Sequence, residues 1–352
     1  MRPTLRLAKL LLAGLCASLL TAPAQAALVE MADGELSEVT GQAFINLTTN
    51  SNAGIDYTRI NLGMKVETQL NMNKLQLGLY PRSGEAANTA DIDINNFALG
   101  TVNDAAGTVN PFMINDPFIE LAYSGNKIVG VRVGFAESKG TLSGDINNLT
   151  GSVPVHIKGN AGPVYDNASG WTQFLLGLAG VYRSSTLEAD AELVTGLDTP
   201  NPGVLDPIRA NYTGMPEGST LNCTSGCLPL SNALLGLFTS TNCAVSGVTT
   251  CFPLTQFQSL PVGNSAIADN PATQTIEGAA KGFFISMQSQ AVAWQDMDSG
   301  AFKTALAGAY LNLPKFKDAN GNLVAPINVD FNMALTGIPR ADTCFGTATK
   351  GC

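Results

Sequence analysis

A mainly β fold, built on a long antiparallel sheet that is curved or solenoid-like, is what this sequence predicts. Three observations predict it. Apolar residues recur at every second position over long stretches, which puts one set of side chains on each face of an extended strand. Charged residues are only 13% of the chain, and Asn, Thr, Ser and Gly supply most of the polarity, as in exported β proteins with neutral polar surfaces. Helical spacing surfaces only in one or two short segments, and the cysteines gather in a loop-rich insertion.

The chain opens with Arg2, Arg6 and Lys9, an apolar run from Leu10 to Leu20, and Ala24-Gln25-Ala26. That order is a signal peptide over residues 1–26. The run is too short for a retained membrane helix, and Leu15 before Cys16 is not the small residue of a lipid-anchoring signal. Export follows, to the periplasm, the outer membrane or the outside, with no transmembrane span beyond the signal peptide. Removing Arg2, Arg6 and Lys9 from 19 Lys and Arg leaves 16 against 28 Asp and Glu, a net charge of −12. Such a chain repels phosphate backbones, so nucleic acid is no partner.

In Met31 to Gln42 (M-A-D-G-E-L-S-E-V-T-G-Q), Asp33 to Val39 fits a helical turn, and Gly41 breaks it before a strand from Ala43 to Leu47. Glu35-Leu36-Ser37 followed by Val39-Thr40-Gly41-Gln42 resembles the mature N-terminus of Fil-type pilus-system proteins and of related uncharacterised exported proteins of Gram-negative bacteria. The resemblance covers about a dozen residues and implies an envelope or surface role, with an envelope or pilus protein as partner.

Ile60 to Tyr80 organises the chain. Ile60, Leu62, Met64 and Val66 alternate, Leu70 and Met72 keep the phase, and Leu75, Leu77 and Leu79 take it over one residue out of step. The slip at Asn73-Lys74 demands a bulge or tight turn, because otherwise the leucines change faces. Ile60 and its partners are expected to face a closed core. The string D-I-N-N recurs at Asp93 to Asn96 and Asp145 to Asn148, with a looser relative in Ile327 to Gly337, which suggests strands in similar environments. Phe118 to Phe135 reads as a hairpin turning at Ser124 to Lys127, and Val153, Val155 and Ile157 as a further strand. Trp171, Phe174, Leu175, Leu178, Val181 and Tyr182 keep helical spacing, which fits a helix packed on a sheet.

The β domain therefore runs over 27–194, a Cys-rich loop insertion over 195–277, and the closing strands over 278–352. Within the insertion, Ser231 to Phe238 reads as a helix. In the closing part Ala305 to Leu313 alternates, and Ile327, Val329, Phe331 and Met333 return after an Asn320-Gly321 turn. Six cysteines remain in the exported chain: Cys223, Cys227, Cys243, Cys251, Cys344 and Cys352. An even number in that compartment reads as three disulfides, with Cys243–Cys251 and Cys344–Cys352 the simplest local pairs.

Catalytic signatures are missing. His156 is the only histidine, no G-x-S-x-G string accompanies it, and a polar residue on a strand face accounts for it. Glu188, Asp190 and Glu192 fall on one face of a strand from Leu187 to Leu193. They suit calcium in type, but a solvated acidic face is the simpler meaning. Ser185 before Glu188 keeps a capped helix open as an alternative there. The Asp-rich loops at Asp296 and Asp318 lack the twelfth-position glutamate of a calcium loop and read as turns. The expected function is accordingly a non-enzymatic, cofactor-free and metal-free component of the envelope or surface, pilus- or adhesion-associated. The alternative is a carrier of a lipid or other hydrophobic ligand, held on a face of Ile60, Leu62, Met64, Val66, Trp171, Phe174 and Leu178. A transmembrane barrel ranks third, since aromatic residues are only 7% and the chain does not end in an aromatic-tipped strand.

Overall fold

The computed structural model describes residues 44–85, 88–245, 247–270 and 272–346. The signal segment, the turn expected over Asp33 to Val39, the strand start at Ala43, and Cys352 lie outside them. The chain begins with β1 (Phe44–Asn52), β2 (Ile55–Gly63), β3 (Lys65–Thr68), β4 (Leu70–Leu79), β5 (Ala90–Leu99), β6 (Phe112–Ser124) and the long β7 (Lys127–Leu149). Next come β8 (Val155–Asn160), helices α1 (Gly162–Asn167) and α2 (Gly170–Leu178), and β9 (Thr186–Val194). Residues 195–277 hold β10 (Tyr212–Gly214), β11 (Asn222–Ser225), α3 (Ser231–Leu235), β12 (Cys251–Pro253) and β13 (Ser259–Val262). The chain closes with β14 (Ala280–Gln288), β15 (Val292–Gln295), β16 (Phe302–Ala305), β17 (Gly308–Asn312), β18 (Ile327–Val329) and α4 (Phe331–Thr336).

The fold is mainly β, and nearly all its ladders are antiparallel. Two are parallel: Gly151–Ser152 beside β17, and β8 beside β18. β7 belongs to two wings of the sheet. Up to Lys139 it lies between β6 and β14 in a first wing ordered β1-β2-β6-β7-β14-β17. From Gly140 onward it lies between β5 and β13 in a second wing that continues through β18, β8 and β9. The handover falls at Gly140, whose φ is +145° and where a Cβ would sit 2.9 Å from the Phe112 ring and 3.0 Å from its Cα. A side chain there is excluded twice, by backbone strain and by space.

The phase slip at Asn73 is built as an irregularity shared by three strands. β5 pairs Asn95 with Asp145 and Ala98 with Ser143, so two residues of β5, Asn96 and Phe97, stand against Gly144 alone. Asn96 adopts a positive φ of 50°. β4 follows with Met72 opposite Phe97 and Lys74 opposite Asn95, leaving Asn73 and Asn96 out of the ladder at the same level. Ile92 and Ile94 before the irregularity, and Phe97 and Leu99 after it, thereby reach one core, as do Leu70, Leu75 and Leu77 of β4. A bulge is what allows a shift of phase without a change of face.

The two D-I-N-N strings meet across this ladder. Ile94 faces Ile146, Asn147 donates to Asp93 at 3.0 Å, and Asn96 donates to Asp145 at 2.8 Å. The looser third relative does not extend as one strand. Asp330 accepts the Met333 N–H at 2.7 Å and starts α4, so Phe331 and Met333 are helical. Likewise Ala305 and Leu313 are not in one strand, because β16 ends at Ala305 and β17 begins at Gly308.

Both wings line the larger core, which includes Ile92, Ile94 and Ile146 from one and Phe112, Phe283 and Leu311 from the other. A smaller core of Tyr57, Phe118, Val292 and Trp294 fills the opposite face of the first wing under the β15–β16 hairpin. Arg132, fully buried there, pairs with Glu120, which also receives Arg59 Nε at 3.1 Å. The Arg132 guanidinium lies over the rings of Phe118, Phe284 and Trp294 at 4.9–5.3 Å. Burial pushes it down to about 10.

The 195–277 stretch is tied into the scaffold by hydrogen bonds, with β10 and β11 against β9 and β13 between β7 and β18. Arg209 anchors it further. Its Nε lies 2.9 Å from Asp91 and its Nη1 2.5 Å from Glu85, and its Nη2 donates to the Tyr80 carbonyl at 2.8 Å. Asp91 is completely buried and also accepts the Ala309 N–H at 2.8 Å.

Candidate functional site

The inner face of the first wing outruns its cover. Following the ladder across the strands, Leu47 pairs with Ile60, Ile60 with Ile119, Ile119 with Val133, Val133 with Ile285, and Ile285 with Leu311. Equal faces meet at every step of an antiparallel ladder, so these six form one apolar row across the wing. A second row runs Thr49, Thr58, Leu121, Val131, Met287 and Ala309. Neither row contains a charge. The larger core reaches along this face to Phe135, Phe283 and Ile285. Beyond them Ile45, Leu47, Ile119, Val133 and Met287 are 65%, 62%, 44%, 48% and 46% exposed. A contiguous apolar surface of this kind marks a binding face more often than single exposed leucines do. At its margin Val131 and Met287 join Tyr80, Ile128 and Gln288 around an open cleft of about 370 Å³.

The residues singled out in the sequence divide over this framework. Ile60 and Leu62 lie half-buried on the open face, in β2. Met64 sits between β2 and β3, and of the four only Val66 packs against the larger core. The expected closed core is therefore corrected: the second wing covers the face near Val66 and Phe135 and stops short of Ile60. Trp171, Phe174 and Leu178 stand on the outer side of α2, 68%, 53% and 61% exposed, with the two rings stacked at 5.4 Å. Ser169 caps that helix, and its inner side brings Thr172 and Leu176 to an interior cavity of about 40 Å³, room for little more than a water. Cys223 is bonded to Cys227 and Cys243 to Cys251, with Cα separations of 6.3 and 5.1 Å. Cys344 is disulfide-bonded too.

The two constellations set aside as bland meet in a second, polar cleft of about 750 Å³. Leu187 to Leu193 is the strand β9, and its register with β8 places His156 opposite Asp190 and Lys158 opposite Glu188. His156 Nδ1 is 2.9 Å from Asp190 Oδ1, and Lys315 Nζ is 2.8 Å from Asp190 Oδ2. Lys158 Nζ lies 3.2 Å from Glu188, and His156 Nε2 3.6 Å from it. Asp190 is held at about 2, chiefly by the hydrogen bond from His156. Burial raises the Glu192 carboxyl, lowers the Lys303 ammonium and pushes Tyr310 up to about 12. The acidic strand face thus meets cations supplied by β8, β16 and the segment after β17. Among the described residues no group of His, Cys, Asp and Glu is arranged to hold a metal ion. Alternation made the carboxylate face legible, whereas nothing local announces Lys303, Tyr310 or Lys315, which arrive from far along the chain.

A family of unknown function (DUF6160) matches this chain over residues 5–107, which takes in β1 to β5, β1 and β2 of the open apolar face among them. No curated protein and no solved structure matches it. Among the described residues no helix is long and apolar enough to cross a membrane.

Proposed function

We propose that the protein is an exported, non-enzymatic component of the bacterial cell envelope that holds a hydrophobic ligand, such as a lipid acyl chain, on the open face of its first wing. One observation carries this reading: the charge-free field of Leu47, Ile60, Ile119, Val133 and Met287 lies beyond the reach of the larger core and leads into an open cleft. That cleft, about 370 Å³, is within the ordinary range of small-molecule sites, roughly 300–1,000 Å³. The polar cleft supports the reading indirectly, because two of its carboxylates, Glu188 and Asp190, are already engaged by Lys158, His156 and Lys315.

The test is to express the chain with its signal peptide in a Gram-negative host, fractionate the cells, purify the protein without detergent and extract it for lipid mass spectrometry. A stoichiometric lipid in the wild type, lost in Ile119→Gln and Val133→Gln while circular dichroism is unchanged, is the expected result. Lipid-free wild-type protein, or lipid kept by both variants, overturns the proposal.

A further inference from the structure

The structure carries two long outer strands, and it treats them in opposite ways. Among the described residues β4 pairs with β5 alone, and its other edge is guarded: Asn73 leaves the ladder, Lys74 places a charge there, and Gly78 turns to φ +69°. Next to it Gln69 and Asn71 both donate to the Thr343 carbonyl, at 2.9 and 3.0 Å, so the C-terminal segment lies across that margin. β1 has none of these devices. It is nine residues long, pairs with β2 without a register break through an Ala53-Gly54 turn of positive φ, and contains no charge, proline or glycine. From Ile45 to Ser51 every residue is exposed, and among the described residues no strand occupies its outer edge. Soluble proteins blunt such an edge with lysine, proline or bulges, because its unpaired N–H and C=O groups template another strand.

We infer that β1 is a homotypic docking edge, at which a second copy of this chain adds its own β1 antiparallel. This goes beyond the hydrophobic-ligand reading and does not rest on it. A two-fold axis normal to the sheet brings equal faces together. With the axis at Asn46, Ile45 and Leu47 lie beside Leu47 and Ile45 of the copy, and Asn46 beside Asn46. Both halves of the contact are self-complementary. Charge argues for the same occupant. An exported chain with a net charge of −12 repels its copy over most of its surface, but no charged residue occurs from Val39 to Ile55. A foreign acidic or basic strand would find nothing opposite in sign to meet. The pairing also joins two first wings edge to edge, so that their apolar faces run on as one.

Sedimentation of the exported full-length chain tests this, alongside Asn46→Lys and Asn46→Glu. Wild type is expected to dimerise at micromolar concentration, and each variant to weaken dimerisation by roughly tenfold or more through like charges across the axis. An equimolar mixture of the two variants is expected to restore a heterodimer, which only a near-symmetric pairing about this position allows. Should a variant fail to fold, hydrogen exchange of wild type decides: the amides of residues 45–51 are expected to be protected at high concentration and to lose that protection on dilution. A wild type that stays monomeric at tens of micromolar, variants that dimerise unchanged, or a dimer whose β1 amides exchange freely overturns the inference. So does a monomer that dimerises only after deletion of residues 27–42, which would assign the edge to that segment.

Discussion

The two faces of the first wing invert the usual arrangement. On one, the charged residues Glu120 and Arg132 are 3% and 0% exposed, sealed by Phe118, Phe284 and Trp294 under the β15–β16 hairpin. On the other, one residue along the same strands, Ile119 and Val133 are nearly half exposed. Alternation separates two faces but does not say which is covered; that depends on whether a distant segment returns to pack there. The hairpin returns to one face, while the second wing reaches only partway along the other. A buried pair ringed by aromatics is tolerable because most of its hydrogen bonds are made: Arg132 Nε meets Glu120 and Nη1 donates to the Gln295 carbonyl at 2.8 Å, while Nη2 has no polar partner and lies among the rings.

The largest expected effect comes from breaking the charged face. Glu120→Gln leaves Arg132 and Arg59 facing each other without a carboxylate and is expected to cost about 3–5 kcal/mol in urea unfolding. Ile119→Ala, its immediate neighbour on the open face, is expected to cost under about 1 kcal/mol in the same assay. Equal losses would dissolve the distinction between the faces. Leu62→Ala sharpens it: on a half-covered face the change is expected to cost about 1 kcal/mol, against roughly 2–5 kcal/mol for a leucine in a closed core.

The smallest effect belongs to the polar cleft. The carboxyl of Asp190 sits at about 2, below its unfolded value near 4, so its contribution is present above that unfolded value and fades as pH falls towards 2. Because the side chain is half exposed, Asp190→Asn is expected to lose only about 0–1 kcal/mol at neutral pH. The gap to wild type, read from urea unfolding across pH, is expected to close between about pH 4 and pH 2. A gap that widened on acidification would contradict the His156–Asp190 geometry.

Much of the local structure was legible in the sequence because strands announce themselves every two residues. The β6–β7 hairpin turns where Ser124 to Lys127 placed it, and β9 follows the alternation of Leu187 to Leu193. Even the bulge was signalled by the slip at Asn73, although the sequence did not reveal that Asn96 and Gly144 share it. The helix α4 was missed because Phe331 and Met333 continue the strand alternation, while the helical spacing of Phe331 and Ala334 and the capping aspartate at 330 are the signals that point the other way. The open face was misjudged for a different reason. A strand with one apolar side looks the same whether that side is covered by the chain or left bare, so Ile60 and Leu62 carried no sign of their exposure.

One consequence follows from β7 serving both wings. Residues 130–138 hold β14 while 142–149 hold β5, on a single uninterrupted strand. Neither wing can melt without pulling the other's central strand out of register, so the smallest unit able to open is the whole sheet. Heat or denaturant is expected to act on this chain as on one cooperative body despite its size, with fraying confined to segments such as the β15–β16 hairpin.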